Sequence, residues 1–164
     1  MGPLSKKQIM SASPATDELS KFLEIIEMLE SSQGKDFGHR TMESGIHEGH
    51  AAAGRYGLMP NTALEVINRL KRQQQISPEM EALQKMSPDE IKQKLESDRI
   101  LEEQIARGLA GRVLERQGGD LEKAAYSWQY GHNLTPEKIE ETPYKDNFYV
   151  QRFNKTKKLI DNKE

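Results

Sequence analysis

Glu30 is the residue in this sequence best placed to do chemistry. It closes a stretch in which Leu19, Phe22, Leu23, Ile26 and Leu29 recur at three- and four-residue steps, the spacing of a helix with one face against a core. Thr16 or Asp17 reads as the N-cap and Gly34 as the stop, which puts Glu30 in the final turn. A negative charge at a helix C-terminus is disfavoured by roughly 0.3–1 kcal/mol, and burial adds to that penalty. The pKa of such a carboxyl is therefore expected to rise. A carboxylic acid that keeps its proton near neutral pH can protonate a leaving oxygen, as the cleavage of a glycosidic bond requires.

Other polar groups crowd the long segment after this helix. Residues 31–57 carry Gly34, Gly38, Gly45, Gly49, Gly54 and Gly57, and so long a connection is uncommon in a compact domain unless it serves a function. Asp36 and Glu43 are candidates for a second carboxylate. Glu43-Ser44 also repeats the Glu30-Ser31 pair and competes with it for the acid role, but no apolar period precedes it to anchor it. His39, His47, Glu48 and His50 form a rival constellation of metal-ligating types. Yet His47-Glu48-Gly49-His50 is one residue short of the zinc-protease spacing, and no helical pattern carries it.

The elements that must position these groups read as helices throughout. Leu64, Ile67 and Leu70 mark one helix that starts near Thr62. Ser77-Pro78-Glu79 and Ser87-Pro88-Asp89-Glu90 open two short, peripheral ones, the second with a capping box. Asp98 to Gln117 is a strong helix with a Leu101, Ile105, Leu109, Val113 ridge; its Gly108 and Gly111 suggest close passage of another helix. Asp120 caps the next, which carries Ala124, Ala125, Tyr126, Trp128 and Tyr130. Thr135-Pro136 opens a short helix and Thr142-Pro143 a last one, with Phe148, Tyr149 and Phe153 as core anchors. No useful β-alternation appears, so the expected fold is all-α, with about six to eight helices.

Bulk properties narrow the partners. The chain of 164 residues suits one domain with a real core, here residues 16–164, after an N-terminal stretch of residues 1–15 expected to be disordered or extraneous. Its net charge of −2 gives no nucleic-acid footprint, and no apolar run suits a membrane span. The absence of Cys excludes thiol catalysis, Cys-ligated zinc and disulfides. The N-terminal MGPLSKKQIMSASPAT has no apolar stretch of the secretion-signal kind.

Three separated stretches resemble one family, the goose-type lysozymes and soluble lytic transglycosylases. Glu30-Ser31 is similar to the family's catalytic Glu-Ser pair at the end of a first helix. Gly57-Leu58-Met59-Pro60-Asn61-Thr62-Ala63 resembles a contracted form of its Gly-Leu-Met-Gln segment and following helix start, without the Gln. Ala124-Ala125-Tyr126-Ser127-Trp128-Gln129-Tyr130-Gly131 resembles its Ala-Ala-Tyr motif, and the residues around Tyr149 its closing segment. The gap from Glu30 to Gly57 is longer than in most of the family. The form also looks like a branch with phage-associated and predatory-bacterium lysozymes, some of which act on deacetylated peptidoglycan.

The resemblance implies a lysozyme-like fold and a muramidase that cleaves the β-1,4 MurNAc–GlcNAc bond, with Glu30 as acid and Tyr126 supporting it. Ser31, Ser44, Tyr56, Gly57, Leu58, Met59, Trp128 and Tyr130 would contact the glycan. A second carboxylate at Asp36 or Glu43 would give hydrolysis; without one, the sugar's own 6-hydroxyl attacks and leaves a 1,6-anhydro product. The implied protein is a bacteriolytic monomer without a cofactor, exported to the periplasm or outside the cell or delivered by a virion, with peptidoglycan strands as its partner. Two readings compete with it: a catalytically inactive peptidoglycan-binding module of the same fold, and a metalloenzyme built on the histidine cluster.

Overall fold

Side-chain caps divide this chain into its elements. The computed structural model describes residues 6–32 and 51–163, with side chains from residue 17 onward. Among the described residues the protein is all-α, with eight helices: α1 Lys6–Ser31, α2 Pro60–Arg72, α3 Pro78–Leu83, α4 Pro88–Ser97, α5 Arg99–Arg116, α6 Leu121–Tyr130, α7 Pro136–Glu140 and α8 Phe148–Asp161. The side chains of Ser77, Asp98, Asp120 and Thr135 each accept from a backbone N–H in the first turn of the helix they open. Ser87 and Glu90 form the reciprocal capping box at α4. Consecutive glycines with positive φ, Gly118 and Gly119, follow α5.

α5 is the central helix. Leu101, Ile105, Ala106, Leu109, Ala110 and Val113 are buried, adjacent pairs that recur every turn and face neighbours over a wide arc. α1, α2, α4 and α6 all pack on it. Gly108 admits α2, since a methyl group there would lie 3.1 Å from Val66 Cγ1; at Gly111 one would meet Leu19 of α1 at 3.6 Å. Gly108 therefore marks the close approach that its cost in helix propensity suggested, whereas at Gly111 the methyl would make only ordinary contact. α8 packs across α1 and α6, where Ala124 and Ala125 are fully buried. One core runs from Phe22 to Ile160, and at its centre the Phe22 ring lies 5.8 Å from Trp128 and 5.6 Å from Phe153.

Three expectations change. α1 starts at Lys6, ten residues ahead of the cap read at Thr16. Thr142-Pro143 leads into a single 3-10 turn, Tyr144–Asp146, and the cap of α8 is Asn147, which accepts from the N–H groups of Tyr149 and Val150. Phe148 is 72% exposed and not a core anchor. The buried face of α8 is Tyr149, Val150, Phe153 and Ile160, and Phe148, one residue before Tyr149, is turned about 100° away from it. The short helices α3 and α4, sparse in apolar residues, bury the large ones they have: Met80, Leu83, Ile91 and Leu95.

Replacing Phe22 by Ala removes the ring that joins α1, α6 and α8 and should cost about 3–5 kcal/mol. Ile100→Ala, at a position 71% exposed, should stay within about 0.5 kcal/mol of wild type. Urea unfolding midpoints measure both, and equal losses would contradict the core described here.

Candidate active site

The site is built around a tight turn, Gly54-Arg55-Tyr56-Gly57. Ala53 and Leu58 close it as an isolated antiparallel bridge: Ala53 N–H donates to the Leu58 carbonyl at 2.7 Å and Leu58 N–H donates back at 3.1 Å. Both glycines are left-handed, with φ of +59° at Gly54 and +64° at Gly57, a conformation costly for other residues. The turn lies inside the fold, so its polar backbone needs partners. Helix side chains provide them. Glu96 of α4 accepts from Gly54 N–H at 2.9 Å, and Glu102 of α5 accepts from Arg55 N–H at 2.7 Å and from Tyr56 N–H. Ser31 Oγ donates to the Arg55 carbonyl at 2.8 Å, and Trp128 Nε1 donates to the Tyr56 carbonyl at 3.1 Å. The Arg55 guanidinium pairs with Glu27 at 3.1 Å.

Glu30 approaches this turn from the final turn of α1. A methyl group added at Gly57 would come within 2.5 Å of Glu30 Oε1, so the carboxyl lies directly on glycine backbone. Burial pushes its pKa up to about 7, and the cation of Arg152 on α8 opposes the rise. Glu102 is the counterpart on the other side of the turn. It is only 1% exposed, and a methyl group at Gly54 would overlap its carboxylate. Burial raises its pKa to about 7 as well, against the N–H groups of Arg55 and Tyr56 and the Arg55 charge.

Tyr149 is the tyrosine electrostatically coupled to Glu30. It is buried on α8 and its hydroxyl has no hydrogen-bond partner among the described residues. Burial, and then the negative charge of Glu30, hold its pKa well above the usual phenol value. Tyr126, the residue expected to support the acid, sets its ring 4.6 Å from that of Tyr130. Tyr130 is 51% exposed, and its hydroxyl accepts from Asn147 Nδ2 at 3.0 Å. The two rings are tilted by 40°, with Tyr126 half-buried beneath the exposed Tyr130.

Several residues read as glycan contacts have structural tasks. Ser31 is 2% exposed, and its hydroxyl is engaged by the Arg55 carbonyl and, at 3.1 Å, by that of Glu27. Trp128 packs its ring against Phe22 and ties down the turn through its indole N–H. Leu58 and the Tyr56 ring are core, and burial raises the Tyr56 pKa to about 12. Gly57 and Met59 remain partly exposed beside Glu30. Asp36, Glu43, Ser44 and the cluster His39, His47, Glu48 and His50 lie outside the described residues.

Glu96, Glu102 and Tyr149 were not singled out from sequence for roles at this site. Glu102 carried a signal, because it falls in phase with Ile105, Ala106 and Leu109, a carboxylate on the core face of an apolar helix. Nothing local marked Glu96. Tyr149 read as a core anchor, and its depth in the core is what leaves the hydroxyl unpartnered.

Two consequences are measurable. Glu30 and Glu102 keep their protons in the folded protein up to about pH 7, whereas the unfolded chain releases them near 4.5. Below 4.5 both states are protonated and neither group costs stability. Between 4.5 and 7 the folded state binds more protons, so stability falls as pH rises, and above 7 the loss is complete. Melting temperatures from pH 4 to 8.5 should follow that decline, with a shallower slope in Glu30→Gln; a flat wild-type profile would rule out burial as the cause. Gly57→Ala and Gly119→Ala both add left-handed strain of about 1–3 kcal/mol, but only the first displaces the Glu30 carboxyl, whereas a methyl at Gly119 meets nothing within 4 Å, so Gly57→Ala should be the less stable of the two. Compared with known proteins, the chain matches no family model, no curated protein and no solved structure.

Proposed function

We propose that this protein is a peptidoglycan-cleaving glycosidase of lysozyme-like fold in which Glu30 is the general acid. The observation that carries the reading is a carboxyl with pKa about 7, anchored at a helix end and set against the backbone of Gly57. Such a group is protonated in a useful fraction at neutral pH and has the strength to protonate a glycosidic oxygen. Glycine at the contact leaves room for a sugar ring to approach the chain closely. The Tyr126–Tyr130 rings offer flat apolar faces of the kind that sugar rings cover.

In the reaction Glu30 gives its proton to the leaving 4-oxygen as the bond from that oxygen to the anomeric carbon breaks. The sugar passes through an oxocarbenium-like state, and Glu30 is left as a carboxylate. Tyr149, whose hydroxyl has no partner among the described residues, and the Arg152 cation favour that charge. The carboxylate then takes a proton from the attacking group. Water yields a reducing MurNAc end; the 6-hydroxyl of the same sugar yields the anhydro end, lighter by one water. Glu27, Glu96 and Glu102 are all engaged in holding the turn. A water-activating carboxylate, where one is used, therefore falls to Asp36 or Glu43.

Glu30→Gln should lower cell-wall clearing by about 10²–10⁴-fold while the fold and glycan binding are kept. In the wild type, kcat/KM should fall as pH rises through about 7, as the acid loses its proton. Clearing that survives in the Gln variant transfers the role to Glu43. Binding without cleavage by the wild type makes the protein a binding module instead. Mass spectrometry of digests of acetylated and deacetylated peptidoglycan reads the attacking group and the preferred substrate together.

A further inference from the structure

A second polar groove lies between α2 and α5, away from Glu30. Arg112 is ten residues beyond Glu102 on α5, about 15 Å further along the helix. The groove has a volume of about 600 Å³ and continues into a neighbouring pocket of about 280 Å³. Arg69, Arg107, Arg112 and Arg116 line the first, and Arg69 and Arg112 also line the second, where Arg72 joins them. Only two carboxylates, Glu65 and Glu115, line the pair of pockets, and Glu65 is engaged by His132 at 2.6 Å. The chain as a whole carries a net charge of −2, so this is a local concentration of positive charge on a slightly acidic protein.

These guanidiniums have neutral partners. Arg69 donates to the Gly108 carbonyl at 2.6 Å, Arg107 to Ser20 Oγ at 3.2 Å, and Arg116 to the Asn133 carbonyl at 2.9 Å. Arg112 reaches Asn133 Oδ1 at 3.4 Å, and its Nε is buried without a hydrogen-bond partner. Among the described residues none of the five arginines takes part in an ion pair. Like charges gathered in this way repel one another. Burial, and then the adjoining Arg112 charge, pull the pKa of Arg69 below its ordinary value, with Glu115 opposing and Arg72 and Arg116 adding to the fall. A buried donor without an acceptor and a set of uncompensated cations both carry a free-energy cost. A ligand with several anionic oxygens relieves both.

We infer that the α2–α5 groove binds a phosphate-bearing anion of two or more negative charges. Planar guanidinium forks suit phosphate oxygens, to which they donate in pairs. Arg69 and Arg112 sit where the two pockets adjoin and so serve charges on either side. Gln73 and Gln75 add amide groups at the rim, while Leu70, Gly108 and Gly111 give an apolar floor. The volume exceeds what a bare phosphate fills, so the ligand has room for an organic part. The site is separate from Glu30, and its existence does not depend on the glycosidase reading.

Calorimetric titration of the full chain with inorganic pyrophosphate tests this directly. One saturable site is expected, weakened at least tenfold in Arg112→Gln and unchanged in Lys155→Gln, which lies on α8 outside the groove. Exposed Arg72→Gln repeats the measurement if Arg112→Gln does not fold. Co-sedimentation with phosphatidylglycerol vesicles, but not with phosphatidylcholine, and its loss in the same arginine variant would identify a lipid headgroup as the source of the phosphate. Calorimetric binding without co-sedimentation identifies a soluble phosphate compound. If neither probe binds in an arginine-dependent way, or if Lys155→Gln weakens binding as much, the attraction is diffuse and the proposal is overturned.

Discussion

The structure depends on satisfying the backbone of one buried turn. Gly54 to Gly57 crosses the interior with its N–H and carbonyl groups exposed to no regular secondary structure, and each unpaired group would cost about 1–3 kcal/mol. The partners come from helices far apart in sequence: Ser31 at the end of α1, Glu96 of α4, Glu102 of α5 and Trp128 of α6. These bonds draw four helices to one point. They also explain why a carboxylate as deeply buried as Glu102 is tolerated, because its oxygens accept from two turn N–H groups.

The same turn defines the environment of Glu30. Two glutamates flank it, Glu102 buried and Glu30 partly so, both with pKa values raised to about 7 by desolvation, yet their surroundings differ. Glu102 is enclosed, and its carboxylate receives hydrogen bonds from the chain. Glu30 stands at a helix end beside partly exposed Gly57 and Met59, with an unpartnered tyrosine hydroxyl nearby. A raised pKa is common to both groups and so does not identify an acid. What distinguishes Glu30 is that it stays partly exposed, where Glu102 is closed off.

α5 links this end of the molecule to the arginine groove. Its first turn contributes Glu102 to the turn, its middle bears Gly108 and Gly111 where α2 and α1 approach, and its last turns carry Arg112 and Arg116. One helix thus has acidic and basic ends with different partners. The acidic end is hydrogen-bonded by backbone donors within the fold, whereas the basic end meets neutral acceptors and is left with excess charge.

Sequence by itself determined the helical class, the helix starts at Ser77, Ser87, Asp120 and Thr135, the strength of the helix that became α5, and the position of Glu30 in the last turn of α1. All of these follow from interactions within a few residues of chain or from apolar periodicity. Tertiary structure decided the rest. Tyr149 lies within the electrostatic reach of Glu30, and Trp128 and Ser31 brace the turn from within. Phe148 faces outward, and Glu96 and Glu102 act on residues more than 40 positions away. The reason is physical: local pattern specifies which groups a helix presents on each face, but the partner of a buried polar group is set by which distant segment arrives beside it.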